Sequence, residues 1–137
     1  MNEDNEKILC NKFPTLFALS YLANEKGRLN RPIELFGLEV SDGWYNLIYN
    51  LCEKLEPIAA SLEEKPAFVQ IKSKFATLRA YLSCSTEEMD NLIDEAEKIS
   101  ARTCEYCGEP GKERGHAWIS TMCDRCYKNS KKPRQIP

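Results

Sequence analysis

A single histidine, His116, occurs among the 137 residues. Hydrolytic zinc sites and HNH-type nucleases draw bases or open-site ligands from several histidines, so neither chemistry is expected here. The chain also lacks a Gly-x-Ser-x-Gly elbow, a phosphate loop of the Walker type and a His-x-Glu pair. An excess of one charge is missing too. Nineteen Lys and Arg stand against 21 Asp and Glu, a net charge of −2, which excludes a histone-like polycation and a polyacidic mimic. No apolar run approaches the roughly 18 residues of a membrane span. The opening Met1-Asn2-Glu3-Asp4-Asn5-Glu6 is acidic and polar, the wrong start for a secretory signal. A cytoplasmic, non-enzymatic protein without a membrane role is the expectation.

Cysteine, by contrast, is plentiful. Seven are present, and four of them form Cys104-Glu105-Tyr106-Cys107 and Cys123-Asp124-Arg125-Cys126. An odd total without a secretion signal argues for a reducing compartment and against a disulfide framework. Two residues between cysteines let a tight knuckle aim both sulfurs at one ion, and Gly108 permits the positive φ such a turn needs. Two knuckles make a closed tetrahedral site for one structural Zn2+. Redox C-x-x-C pairs would instead open a helix inside a βαβ unit, and none surrounds either pair. His116 is superfluous as a ligand and reads as a loop residue. Cys10, Cys52 and Cys84 read as small apolar core residues.

Hydrophobic residues make up 42 % of the chain and charged residues 29 %, enough for one buried core. Residues 1–12 are polar and read as a frayed end. The apolar stretch Phe13 to Leu22 has no clean period, Pro14 suits a first helical turn, residues 23–32 read as a loop, and Ile33 to Val40 as an extended piece. Ser41 or Asp42 can cap a helix over 43–55 in which Trp44, Leu47, Ile48, Leu51, Cys52 and Leu55 form one stripe. Pro57 should end or kink it. Period-two alternation on both sides of residues 73–76 predicts a β-hairpin, though its turn carries neither Gly nor Asn. Ser85-Thr86-Glu87-Glu88 reads as a capping box opening a helix over 87–101, with Leu92, Ile93 and Ile99 on its buried face. The expected architecture is therefore α+β: two main helices packed on a small antiparallel hairpin over residues 1–101. A treble-clef or ribbon-like four-cysteine zinc module over 102–128 and a flexible basic tail over 129–137 complete it. Residues 102–137 carry a formal +4 and the remainder −6. One zinc with four thiolates would cut the former to about +2.

Several runs resemble a family of small bacteriophage and prophage proteins. They are Asp42-Gly43-Trp44-Tyr45-Asn46-Leu47-Ile48; Val69-Gln70-Ile71-Lys72-Ser73-Lys74-Phe75-Ala76-Thr77-Leu78-Arg79; Cys104-Glu105-Tyr106-Cys107-Gly108-Glu109-Pro110-Gly111; and Trp118-Ile119-Ser120-Thr121-Met122-Cys123-Asp124-Arg125-Cys126. The family patterns are similar to DGW..LI, QVKEKFGGLRFY and TCE.CG.PG…W..TLCD.C, and the likeness covers about residues 40–126. Ala76 stands where the family usually has Gly. The resemblance implies a phage origin and residence in the host cytoplasm, and it supplies no activity.

Lys72, Lys74 and Arg79 lie in an acid-free stretch, and on a hairpin Lys72 and Lys74 share a face that Arg79 can join. With Tyr81 and Trp118 such a cluster can grip a phosphate and stack a base. Two readings follow. In one, the protein captures a small anionic ligand, such as a nucleotide signal, and so counters a host function or host defence. In the other, it is a zinc-module adaptor for a host protein or, less readily, DNA. The bland alternative for the three cations is that they only oppose the acids of the 87–97 segment. Trp44 reads as core, and Trp118 either covers the knuckles or faces a partner.

Overall fold

The computed structural model describes residues 1–18, 32–115 and 118–130. Its elements run α1 (Glu3–Lys12), α2 (Pro32–Phe36), a 3-10 turn (Asp42–Trp44), α3 (Tyr45–Ser61), β1 (Phe68–Lys74), β2 (Thr77–Leu82), α4 (Glu87–Ser100), β3 (Lys112–Arg114), β4 (Ser120–Met122) and α5 (Asp124–Ser130). The class is α+β, with two separate antiparallel pairs, β1–β2 and β3–β4. Ile48, Leu51 and Leu55 of α3, Phe68 and Ile71 of β1, Leu78 of β2 and Met89 of α4 share one buried core.

The hairpin is as tight as backbone sterics allow. Lys74 pairs with Thr77, so the loop is Phe75 and Ala76 alone, at φ of 52° and 64°. Two-residue hairpins require this left-handed conformation because its twist matches that of the strands. The missing Gly and Asn therefore did not prevent the turn. They left it strained, since a side chain in this region crowds its own carbonyl. Both edges of the hairpin are covered. The Glu39 amide donates to the Ile71 carbonyl at 2.9 Å, beside β1. On the other side the Leu78 amide donates to the Ser100 hydroxyl at 2.8 Å.

Several expectations need correction. Residues 3–12 are helical rather than frayed, because Asn2 caps α1 and Leu9 is buried. The Glu6 carboxylate also accepts the Leu38 amide at 2.9 Å, tying α1 to the chain after α2. Residues 32–36 form a helical turn, and only Glu39 of the expected extended piece pairs as a strand. Pro57 does not end α3, which runs on to Ser61. Pro57 and Glu53 are both exposed, so water can serve the carbonyl that proline leaves without a donor. Trp44 precedes α3 in the 3-10 turn, and neither Ser41 nor Trp44 gives a side-chain cap. The α4 cap is Thr86, whose hydroxyl accepts the Met89 amide, while Ser85 donates to Asp90. The deepest residues of α4 are Met89, Ala96 and Ser100, not Leu92, Ile93 and Ile99, which are half-buried. Towards its C-terminal end small side chains, Ala96 and Ser100, take the inner face, and there α4 lies close enough to β2 for the serine hydroxyl to bond its edge. Of the loop expected over 23–32 only Pro32 is described, and it opens α2. Of the flexible tail expected over 129–137, Asn129 and Ser130 instead continue α5, and the rest, like His116, lies outside the described residues.

Candidate functional site

The four cysteines converge at the C-terminal end of the chain. Their sulfurs all lie within 4.8 Å of one another, and Cys107 Sγ is 3.5 Å from Cys123 Sγ. Four thiolates at about 2.3 Å from one ion would sit about 3.8 Å apart, so the cluster fits a tetrahedral metal. The first knuckle closes where the Gly108 amide, at φ 85°, donates to the Cys104 carbonyl at 2.9 Å. The second opens α5. There the Cys126 amide approaches Cys123 Sγ at 3.4 Å and draws that thiol down to about 7. Burial pushes Cys104 up, but the amides of Cys123, Cys107 and Tyr106 together bring it below its usual range. Cys126 receives less help: burial, then its three sulfur neighbours, push it up to about 12. Arg125 donates to Cys107 and offsets thiolate charge. With the β3–β4 hairpin between the knuckles and a helix after the second, the module follows the treble-clef arrangement rather than the ribbon. A site with four protein ligands has no open position, so it can build structure but cannot activate water.

The module is bolted to the core by backbone contact. A Cβ on Gly43 would stand 2.4 Å from the Cys104 carbonyl oxygen, so only glycine lets the two segments meet. Beside it, buried Trp44 donates its indole N–H to the Thr103 carbonyl at 2.8 Å. Trp44 is thus core, as its sequence position suggested, and also a strut. The buried Thr121 of β4 makes two links. Its carbonyl accepts the Glu105 amide at 2.9 Å, and its hydroxyl donates to the Ala76 carbonyl at 2.7 Å. The metal module therefore holds the strained tip of the β1–β2 hairpin.

Between that tip and the first knuckle lies a cleft of about 490 Å³. Lys72, Lys74 and Phe75 line it from the hairpin, and Glu105, Tyr106 and Trp118 from the module. Neither lysine is ion-paired among the described residues, though Lys74 lies 5.5 Å from the centre of the Phe75 ring. Phe75, Tyr106 and Trp118 are 68 %, 48 % and 89 % exposed. Three aromatic side chains left this open beside two unpaired cations are costly to solubility and gain little for the fold.

The five residues expected at a ligand site do not all meet here. Lys72, Lys74 and Trp118 share the cleft. Arg79, although paired across the strands with Lys72, turns to Glu97 of α4 at 2.8 Å. With Tyr81 it lines a separate groove of about 340 Å³ beside Asp90, Asp94 and Glu97. For Arg79 the opposing-acid reading is the one realised. The sequence reading missed Phe75, Glu105 and Tyr106. A bulky residue in a two-residue turn was the one available signal for Phe75, while the other two are hidden inside the cysteine motif.

No family model matches the chain, and no curated protein or solved structure is significantly similar to it.

Proposed function

We propose that this is a zinc-stapled, non-enzymatic binding protein that captures a small nucleotide-like anion in the cleft between hairpin tip and metal module. The metal is zinc, because four thiolates in two knuckles suit its tetrahedral preference. The observation that carries the ligand reading is the convergence of Lys72 and Lys74 with Phe75, Tyr106 and Trp118 around one cleft. Ammonium groups meet phosphate oxygens, and aromatic faces stack a base. The volume falls within the roughly 300–1,000 Å³ of small-molecule sites. The likeness of residues 40–126 to phage and prophage proteins supports an accessory role in the host cytoplasm, where sequestering a nucleotide signal would blunt a host defence. The zinc is structural, and its task is to hold Thr121, Tyr106 and Trp118 against the hairpin.

Intrinsic fluorescence tests the ligand reading directly. Of the two tryptophans, Trp44 is 0 % exposed and Trp118 is 89 % exposed, so a stacked base should quench only the latter. Mononucleotides should quench the wild type, and Trp118→Phe should abolish the signal. Each charge-assisted contact contributes about 1.5–3 kcal/mol, so Lys72→Ala/Lys74→Ala should weaken binding about a hundredfold or more. Arg79→Ala should leave it unchanged. Quenching that survives in the double lysine variant refutes the assignment.

A further inference from the structure

We infer that the cleft selects guanine among the nucleobases, with Glu105 reading the base edge; this deepens the nucleotide reading above and rests on it. Glu105 is only 6 % exposed, yet it borders the cleft. Its Oε2 accepts the Ser41 amide at 3.1 Å, which anchors the carboxylate. That is the sole hydrogen bond its carboxylate makes among the described residues, leaving Oε1 and a second lone pair on Oε2 unfilled. No Lys or Arg pairs with it among the described residues. A carboxylate buried to this degree is normally neutralised or given several donors. Its oxygens are not sealed orphans, since Arg79 Nε is the one buried side-chain polar atom without a partner among the described residues, so a ligand entering the cleft can reach them in place of water.

The geometry of the donors decides the base. A carboxylate offers two parallel acceptors. Guanine presents two parallel donors on one edge, N1–H and the N2 amino group. Adenine and cytosine present one exocyclic amino donor beside an unprotonated ring nitrogen, whose lone pair would face the second carboxylate oxygen. Uracil and thymine present one N–H between two carbonyls. Only guanine fills both oxygens without repulsion. A site built to hydrogen-bond a polar edge also rejects ligands lacking it strongly, because its own buried group is then left without a partner. The remaining groups have compatible places. Tyr106 follows Glu105 directly and Trp118 lines the same cleft, so both can offer a face to a base held at the carboxylate. Lys72 and Lys74, from the opposite wall, take the phosphate.

The experiment is a titration of the full-length zinc-loaded protein with GMP, IMP and AMP, read by Trp118 quenching and checked by calorimetry. IMP keeps the N1–H and lacks the amino group; AMP has no N1–H. The expected order is GMP tightest, IMP about tenfold weaker, and AMP a hundredfold or more weaker. Glu105→Gln keeps an acceptor for the Ser41 amide, so the fold and the zinc content should persist. In that variant GMP should fall to the level of AMP, while AMP itself changes little. Equal affinity for the three ligands in the wild type overturns guanine selection and leaves nucleotide capture standing. Undisturbed preference for GMP in a folded Glu105→Gln variant overturns the role of Glu105. Absence of binding by all three overturns both readings.

Discussion

Thr121→Val is the sharpest probe of how the metal module and the hairpin depend on each other. Valine keeps the volume of threonine and removes one donor. In the folded protein that donor serves the Ala76 carbonyl, at 2.7 Å in a buried setting. Leaving a buried acceptor unfilled costs about 1–3 kcal/mol. An unfolding entropy near 2.1 cal/mol/K per residue gives about 0.29 kcal/mol/K for a chain of this length. The expected fall in Tm is therefore about 3–10 °C. Thr121→Ser is the control. It keeps the hydroxyl and loses one methyl, worth about 0.8 kcal/mol before any cavity term. Calorimetric melts of the three proteins, each with its metal content measured, separate the effects. Metal content should be the same in all three, because Thr121 is not a ligand. A valine variant as stable as the wild type would show that the hydroxyl does not hold the turn. A valine variant that loses its metal would show that the module, and not its link to the hairpin, had failed.

Three further outcomes follow from the same contacts. Phe75→Gly should melt about 1–2 kcal/mol more stably than Phe75→Ala, because both lose the ring and only alanine keeps a Cβ at φ 52°; equal melts would mean the turn stores no strain there. Purified protein should hold one zinc per chain, and Cys104→Ser/Cys123→Ser should lose both the zinc and several degrees of Tm, since metal binding and local folding are coupled; full zinc retention by elemental analysis refutes the site. Asp124 is held below its ordinary 3.8 by the Arg114 guanidinium that bonds it. A depressed carboxyl stabilises the fold above its unfolded value and stops doing so as pH falls through the folded one. Carbon-13 titration should thus place the Asp124 midpoint below 3.8, and Arg114→Gln should restore it; a midpoint at the ordinary value in the wild type would dissociate the pair.

The cysteine motif, the α3 stripe and the β1–β2 hairpin are legible in the sequence because each is a local pattern. Two C-x-x-C pairs fifteen residues apart are read from spacing alone, and alternation or a 3.6-residue period needs only neighbours to be read. Less is visible where a distant partner supplies the reason. Residues 3–12 look like a polar end until Asp42 is found accepting the Asn2 amide at 2.8 Å. Ser100 looks like an ordinary helix-end residue until Leu78 is found donating to it. Arg79 looks like a companion of Lys72 until Glu97 takes it.

By itself, then, the sequence determined an α+β chain ending in a four-cysteine metal module, because those features are written in short-range spacing. Only the tertiary structure decided that the module clasps the hairpin tip. That contact rests on Gly43 lacking a side chain where Cys104 passes and on Thr121 reaching Ala76, 45 positions away. The same long-range contact sorted the cations, sending Arg79 to α4 and leaving Lys72 and Lys74 to face Tyr106 and Trp118 across a cleft. No spacing rule carries such information, because the two walls of the cleft come from segments that meet only after the core has packed.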